Sequence, residues 1–126
     1  MTKASFAFLL VVGLVAIANV PTVTNAAVNN SSHHLIVGAR VPGDYVLSKQ
    51  AVSKPSTILT VVEKDVIFYA PNNQIISQVR AMDQKTNGNG AYASITKGGP
   101  GNRNVTVHFK STRGHSINFI LEIYGR

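Results

Sequence analysis

The feature that most constrains the fold is a strict alternation of apolar and polar residues near the end of the chain. Two segments, 104–110 and 116–124, place every second side chain on one apolar face. A period of two residues is typical of a β-strand with one buried face. The apolar positions of that face are Val105, Val107, Phe109, Ile117, Phe119, Leu121 and Ile123.

Helical periodicity is missing from the rest of the chain. No segment after residue 26 keeps a 3.6-residue period over about 11 residues. The sequence therefore predicts an all-β, mostly antiparallel fold of about six to eight strands. A small sandwich or barrel would protect the strand edges of such a domain.

The two alternating segments are predicted to form a hairpin. Their apolar faces align only if the connection has an odd number of residues, and a three-residue loop at 112–114 satisfies this. Gly114 then takes the positive-φ position that such a loop requires, and Phe109 lies opposite Ile117.

A second hairpin is predicted around residues 71–74, because Asn72 and Asn73 tolerate positive φ. The register that joins residue 70 to residue 75 places Asp65 opposite Arg80. Opposite charges at facing positions stabilise a strand pair, which favours this hairpin.

Five of the ten glycines lie in residues 83–101. Asn87-Gly88 and Asn89-Gly90 are strong hairpin signals, so residues 91–96 are predicted to be a return strand. The cluster at 98–102 is predicted to be another turn.

The earlier part of the chain is less regular. Residues 35–37 and 45–47 are predicted to be short strands, and the Pro-Gly pair within 41–44 indicates a tight turn between them. Residues 48–57 are interpreted as a loop or edge segment. Residues 58–69 are β-branched and aromatic, which favours a strand.

The N-terminus has the pattern of a secretory signal peptide. Lys3 precedes an apolar run of 13 residues, 6–18, which is shorter than the ~20 that a membrane span needs. Thr24-Asn25-Ala26 is a small-x-small cleavage site, and the alternative is a retained N-terminal anchor. We expect a signal peptide at 1–26, a flexible polar segment at 27–34 and a single β domain at 35–126.

Composition narrows the function. The chain has no cysteine, which excludes disulfides and thiol chemistry. Loss of Lys3 with the signal peptide leaves 11 Lys and Arg against 5 Asp and Glu, a net charge of +6. Such a charge favours an acidic glycan or another anionic surface, but it is also ordinary for solubility in a small domain.

No residue set has the pattern of an active site. Residues 88–93 match a dinucleotide fingerprint formally, but a strand rather than a helix follows the glycines. His108 and His115 are predicted to project to opposite faces, and His33 and His34 lie in the flexible segment. We therefore expect no catalytic residues, no metal and no cofactor, whereas Asp83 is expected to cap backbone donors at a turn.

Basic and aromatic residues near the turns are the candidate partner-binding residues, because they suit an anionic or glycan ligand. They are Arg80, Lys85, Tyr92, Lys97, Arg103 and Arg113. The sequence also contains glycosylation sequons at Asn29, Asn30 and Asn104.

Several motifs together resemble one family. They are the segments 38–44, 80–84, 86–94, 98–101, 110–119 and 122–126. These segments are similar to the insect family named for multiprotein bridging factor type two, whose members are often labelled salivary secreted peptides. The resemblance covers nearly all of the chain after the signal peptide.

The resemblance implies two alternative functions. The family name implies a transcriptional coactivator that bridges a DNA-binding regulator to the basal machinery, whereas many members look like secreted proteins of saliva, gut or haemolymph. No catalytic residues carry across. We expect a secreted, extracellular, non-enzymatic β-domain that binds an unknown protein, glycan or anionic surface; direct nucleic-acid binding is not expected. The alternatives are the coactivator and a cationic host-defence or glycan-binding protein.

Overall fold

The computed structural model describes residues 32–126, in which there are seven β-strands and no helix. The all-β prediction and the predicted number of strands are confirmed. The predicted signal peptide and the sequons at Asn29 and Asn30 lie outside the described residues. The strands are β1 Leu35–Gly38, β2 Tyr45–Lys54, β3 Glu63–Tyr69, β4 Ile76–Asp83, β5 Tyr92–Gly98, β6 Asn104–Lys110 and β7 Ile117–Gly125.

The strands form two antiparallel sheets. One sheet has four strands in the order β1-β4-β7-β2, and the other has three in the order β3-β6-β5. The inward side chains of the two sheets form the core, as the period of two in β6 and β7 dictates. The buried apolar residues are Val52, Ile76, Val79, Ala81, Ala91, Val105, Val107, Phe109, Ile117, Phe119, Leu121 and Ile123.

The predicted hairpin of the last two strands is wrong. β6 lies between β3 and β5, whereas β7 lies between β4 and β2 in the other sheet. Phe109 and Phe119 therefore meet across the core, with ring centroids 5.1 Å apart and planes inclined by 60°. Alternation specifies which side chains face inward, and two strands of opposite sheets satisfy it as well as two paired strands do. Gly114 does have a positive φ of 78°.

The predicted hairpin at 71–74 is also wrong, because β3 and β4 belong to different sheets. Asn72 and Asn73 have the expected positive φ angles of 54° and 59°. Their turn carries the chain from one sheet to the other instead of returning it along the same sheet. Asp65 lies opposite His108, and Arg80 lies opposite Glu122.

The connection with the two Asn-Gly pairs likewise joins different sheets, so the predicted return strand does not pair with β4. The turn predicted at 98–102 is confirmed, because β5 and β6 pair directly on either side of it. The strand predicted over 58–69 begins only at Glu63.

Residues 48–54 are part of β2 and pair with β7, so the loop interpretation is wrong for them and the edge interpretation is confirmed. β2 is the edge strand of the four-stranded sheet. It carries Lys49 and Lys54, and charged side chains on an edge strand discourage pairing with another chain.

The turn between β1 and β2 is held by a buried carboxylate. Asp44, with a side chain only 2% exposed, accepts hydrogen bonds from Arg40 Nε (2.7 Å), Val41 N (2.8 Å) and Ser77 Oγ (2.8 Å). The Arg40 guanidinium also lies 4.0 Å from the centroid of the Tyr124 ring. Arg40 and Asp44 thus fasten this turn to β4 and β7.

Asp44 should make stability depend on acid pH. The hydrogen bond from Arg40 holds the pKa of the Asp44 carboxyl well below its ordinary value; burial opposes the shift, and Val41 N and Ser77 add to it. Because the pKa of Asp44 is lower in the folded state than the unfolded-state value of about 3.9, the ionised carboxylate stabilises the fold. This stabilisation is complete at pH values above about 3.9 and is lost as the pH falls below that value. We expect Asp44→Asn to lower the melting temperature by a constant amount above about pH 5, with the difference narrowing below about pH 4.

Thermal melts of both proteins across this pH range check the prediction. Arg40→Gln removes the hydrogen bond that chiefly lowers the Asp44 pKa. In that background, Asp44→Asn should change the melting temperature by less, and the difference should vanish at a higher pH than it does in the wild-type background. An equal difference between wild type and Asp44→Asn at every pH would contradict the assignment.

Candidate functional site

The six predicted binding residues do not form one surface. Lys85, Tyr92 and Arg113 lie at one end of the sandwich, where loops 84–91 and 111–116 meet; Thr112 Oγ1 donates to Asn89 O at 3.2 Å there. Lys97 and Arg103 lie at the opposite end, close to the turns at 71–74 and 99–103. Arg80 lies between the ends, on the outer face of the four-stranded sheet.

Three of these residues have structural partners. Arg80 Nε lies 3.8 Å from Glu122 Oε1, and Glu122 also lies 3.6 Å from Lys49 Nζ. Arg103 donates to Asn73 Oδ1 at 3.1 Å, and Arg113 donates to Leu59 O at 2.7 Å. These guanidinium groups hold neighbouring strands and turns together.

A buried carboxylate organises the end that contains Tyr92. Asp83 is 3% exposed; its Oδ1 accepts a hydrogen bond from Lys85 N at 3.0 Å, and its Oδ2 accepts one from His33 N at 2.9 Å. The predicted capping role of Asp83 is thus confirmed. Gly90 packs directly on this carboxylate, because a Cβ added at residue 90 would lie 2.0 Å from Asp83 Oδ2.

His33 stacks on Tyr92 with ring centroids 4.2 Å apart and planes inclined by 12°. Its Nδ1 lies 3.0 Å from Gly90 O, and since a carbonyl only accepts, Nδ1 carries the hydrogen. The neighbouring His34 has the opposite role, because its Nδ1 accepts a hydrogen bond from Asp83 N at 2.9 Å. Residues 32–34 of the predicted flexible segment are therefore tied to the glycine-rich loop.

Lys110 completes this end of the molecule. It faces Tyr92 on one side and Glu63 on the other, in register across the outer face of the three-stranded sheet. Facing side chains of an antiparallel pair lie about 5 Å apart at Cβ. We call His33, Lys85, Tyr92 and Lys110 the Tyr92 surface; Tyr92 is 57% exposed and Lys110 is exposed.

The Tyr92 surface combines the stacked rings of His33 and Tyr92 with two lysine residues. Stacked rings offer an apolar face to a sugar ring or another planar group, and lysines attract sulfate or carboxylate groups. The arrangement is therefore suited to binding an anionic or glycan ligand. Sequence reasoning found Lys85 and Tyr92 but missed His33 and Lys110, which only the strand register and the folding of residues 32–34 bring to Tyr92.

A second polar cluster lies in the next row of the same sheet. His108 Nδ1 lies 2.6 Å from Asp65 Oδ1, and His108 Nε2 lies 3.0 Å from Glu63 Oε1. The two carboxylates contact opposite edges of the imidazole ring, so they hold the histidine and do not converge on a common point. Among residues 32–126, no three His, Asp or Glu side chains are grouped as a metal site requires.

The remaining sequon residue, Asn104, begins β6 and is half-buried. Within residues 32–126 there is no helix of sufficient length and apolar character to cross a membrane.

The fold defines a cysteine-free, all-β protein built from two packed antiparallel sheets. The family described as transcription activator MBF2 matches residues 37–125, and the chain belongs to that family. A relative from Bombus ignitus named "probable salivary secreted peptide" is 52% identical over 108 residues, which is 84% of this chain and 81% of the relative. No solved structure matches the chain significantly.

Several residues of the family motifs build the frame of the molecule. Arg40 and Asp44 fasten the first turn, and Asp83 and Gly90 organise the glycine-rich loop. Among these motifs, Tyr92 is the aromatic side chain that the frame leaves exposed beside Lys110.

Proposed function

We propose that this protein is secreted into an insect body fluid and binds an extracellular partner there without catalysing a reaction. The observation that carries the proposal is the similarity, over 84% of the chain, to a relative named a probable salivary secreted peptide. The signal-peptide pattern predicted at 1–26 supports the same destination.

The absence of catalysis is proposed from the engagement of the acidic residues. All five Asp and Glu side chains of the sequence contact other groups: Asp44 and Asp83 cap backbone donors, Glu122 pairs with Arg80 and Lys49, and Asp65 and Glu63 contact His108. General acid–base chemistry needs a carboxyl group or imidazole that can reach a substrate proton. Here the five carboxylates already contact backbone donors, basic side chains or the His108 ring.

The partner is proposed to contact the Tyr92 surface and to carry negative charge. His33, Tyr92 and Asp83 make this surface rigid before a ligand arrives, which reduces the entropy lost on binding. Lys110 faces Tyr92 across the strand pair, and Lys85 lies next to the Asp83 carboxylate that holds His33, so the surface fits a sulfated or carboxylated glycan.

We expect a Tyr92→Ala, Lys110→Ala double variant to bind heparin about tenfold more weakly than wild type, which corresponds to about 1.4 kcal/mol of binding free energy. Binding of wild type should also weaken as salt rises, because exposed charges are screened. Affinity measured by calorimetry or surface plasmon resonance at several salt concentrations checks both expectations.

The matched control is Tyr69→Ala with Lys97→Ala, which removes an exposed aromatic residue and a lysine from the same sheet at its opposite end. Equal losses of heparin affinity in the two double variants, or heparin affinity that does not change with salt concentration, would refute the Tyr92 surface as the contact.

The second candidate function is the coactivator that the family description, transcription activator, suggests. It requires the protein to meet transcription factors in the nucleus. A pull-down of basal transcription factors by wild-type protein, with the Tyr92→Ala, Lys110→Ala variant as comparison, would favour this function. Retention of heparin binding without such a pull-down favours the extracellular one.

A further inference from the structure

A groove of about 530 Å³ opens at the end of the sandwich opposite the Tyr92 surface. Its lining includes the apolar residues Ala39, Val41 and Ile75, together with Gly101 and Arg126. Its volume lies in the range of about 300–1,000 Å³ that small-molecule sites occupy.

The backbone around the groove is already hydrogen-bonded within the protein. Ile75 N donates to Arg126 O at 2.8 Å, Ile76 N donates to Asn102 O at 2.9 Å, and Gly101 N donates to Ile76 O at 2.8 Å. Besides Arg126, Ser77 is the lining residue with a polar side chain, and its hydroxyl donates to Asp44. The walls therefore present hydrocarbon, and a ligand body placed there should itself be apolar.

Arg126 supplies a guanidinium group to this groove. One nitrogen of its guanidinium donates to Pro42 O, which holds the side chain beside the turn at 41–44. Within residues 32–126, no Asp or Glu side chain forms an ion pair with it, since the nearby Asp44 carboxylate is taken by Arg40, Val41 N and Ser77. A guanidinium has five N–H donors, so donors remain for a ligand.

We propose that this groove binds an amphipathic carboxylate of the medium-chain fatty-acid type. The alkyl chain would lie against Val41 and Ile75, and the carboxylate would accept hydrogen bonds from Arg126. Guanidinium and carboxylate groups match in geometry and form charge-assisted hydrogen bonds. The site is separate from the Tyr92 surface, so a negative result for one proposal leaves the other unaffected.

Calorimetric titration of the full-length protein with decanoate tests the site, with decanol as the uncharged probe of the same chain length. We expect saturable decanoate binding that Arg126→Gln weakens by about tenfold or more, as expected for loss of a charge-assisted contact. Decanol binding should be unchanged in this variant. The matched control Arg113→Gln, at the other end of the molecule, should bind decanoate as wild type does.

A second variant keeps the test decisive if Arg126→Gln disturbs the turn at 41–44. Ile75→Asp changes a partly exposed wall residue and adds a negative charge, so it should also weaken decanoate binding while the melting temperature stays near that of wild type. No saturable binding of decanoate, equal effects of Arg126→Gln and Arg113→Gln, or unchanged binding in Ile75→Asp would overturn the proposal.

Discussion

Replacing Phe109 with alanine is expected to lower the free energy of unfolding by about 3–5 kcal/mol, the usual cost of removing a buried phenylalanine. Phe109 is 0% exposed and contacts Phe119 edge to face across the two sheets. For a domain of this size, each kcal/mol corresponds to roughly 4–8 °C in melting temperature. Chemical denaturation monitored by circular dichroism measures the change.

Tyr69→Ala is the control for this substitution, because Tyr69 is an aromatic residue in the same sheet that is 72% exposed. Its replacement should change stability by no more than about 0.5 kcal/mol. A double-mutant cycle with Phe109→Leu and Phe119→Leu should give a coupling energy of about 0.5–1.5 kcal/mol for the ring contact. A Phe109→Ala protein as stable as Tyr69→Ala would contradict the packing of the two sheets.

Replacing Gly90 with alanine is expected to cost about 2–4 kcal/mol, because the added methyl group overpacks the site and displaces a buried carboxylate from its donors. The new Cβ would lie 2.0 Å from Asp83 Oδ2, so Asp83 must move away from Lys85 N and His33 N. Thermal and chemical denaturation measure the loss.

Two controls separate this contact from the loss of a glycine as such. Gly101→Ala adds a methyl group that meets nothing within 4 Å but requires a φ of +90°, so it should cost about 1–2 kcal/mol. In an Asp83→Ala background the carboxylate is gone, so the further change Gly90→Ala should cost much less than it does in wild type. Equal costs of Gly90→Ala in the two backgrounds would show that Asp83 is not the obstacle.

The sequence predicts which side chains enter the core better than it predicts which strands pair. Val105, Val107 and Phe109 are buried as their alternation requires, and the same holds for the inward residues of β7. Alternation does not predict the partner of each strand. Consecutive strands of a sandwich can lie in one sheet or in opposite sheets, and the same side chains face the core in either case.

The turn residues were informative about backbone conformation and uninformative about topology. Asn72, Asn73 and Gly114 all have the positive φ that their residue types indicate. The chain uses two of these connections, at 71–74 and 111–116, to cross between sheets. Among the strands of residues 32–126, only β5 and β6, on either side of the turn at 98–102, form a hairpin within one sheet.

The candidate site was predictable in part. Tyr92 and Lys85 stand beside conspicuous glycines, so a local pattern draws attention to them. His33 contacts Gly90 across 57 positions of sequence, and Lys110 reaches Tyr92 through strand register. No local pattern encodes either contact, and the groove beside Arg126 likewise forms only when the turn at 41–44 packs against β4.

Mass spectrometry of the native protein, from saliva or haemolymph and from nuclei of the same animals, tests secretion most directly. It also reports glycan occupancy at Asn29, Asn30 and Asn104. If the protein is a secreted binding protein, the fluid should contain a chain that begins at Ala27, and the nuclei should contain none. A chain that keeps Met1 and is found in nuclei but not in the fluid would contradict it.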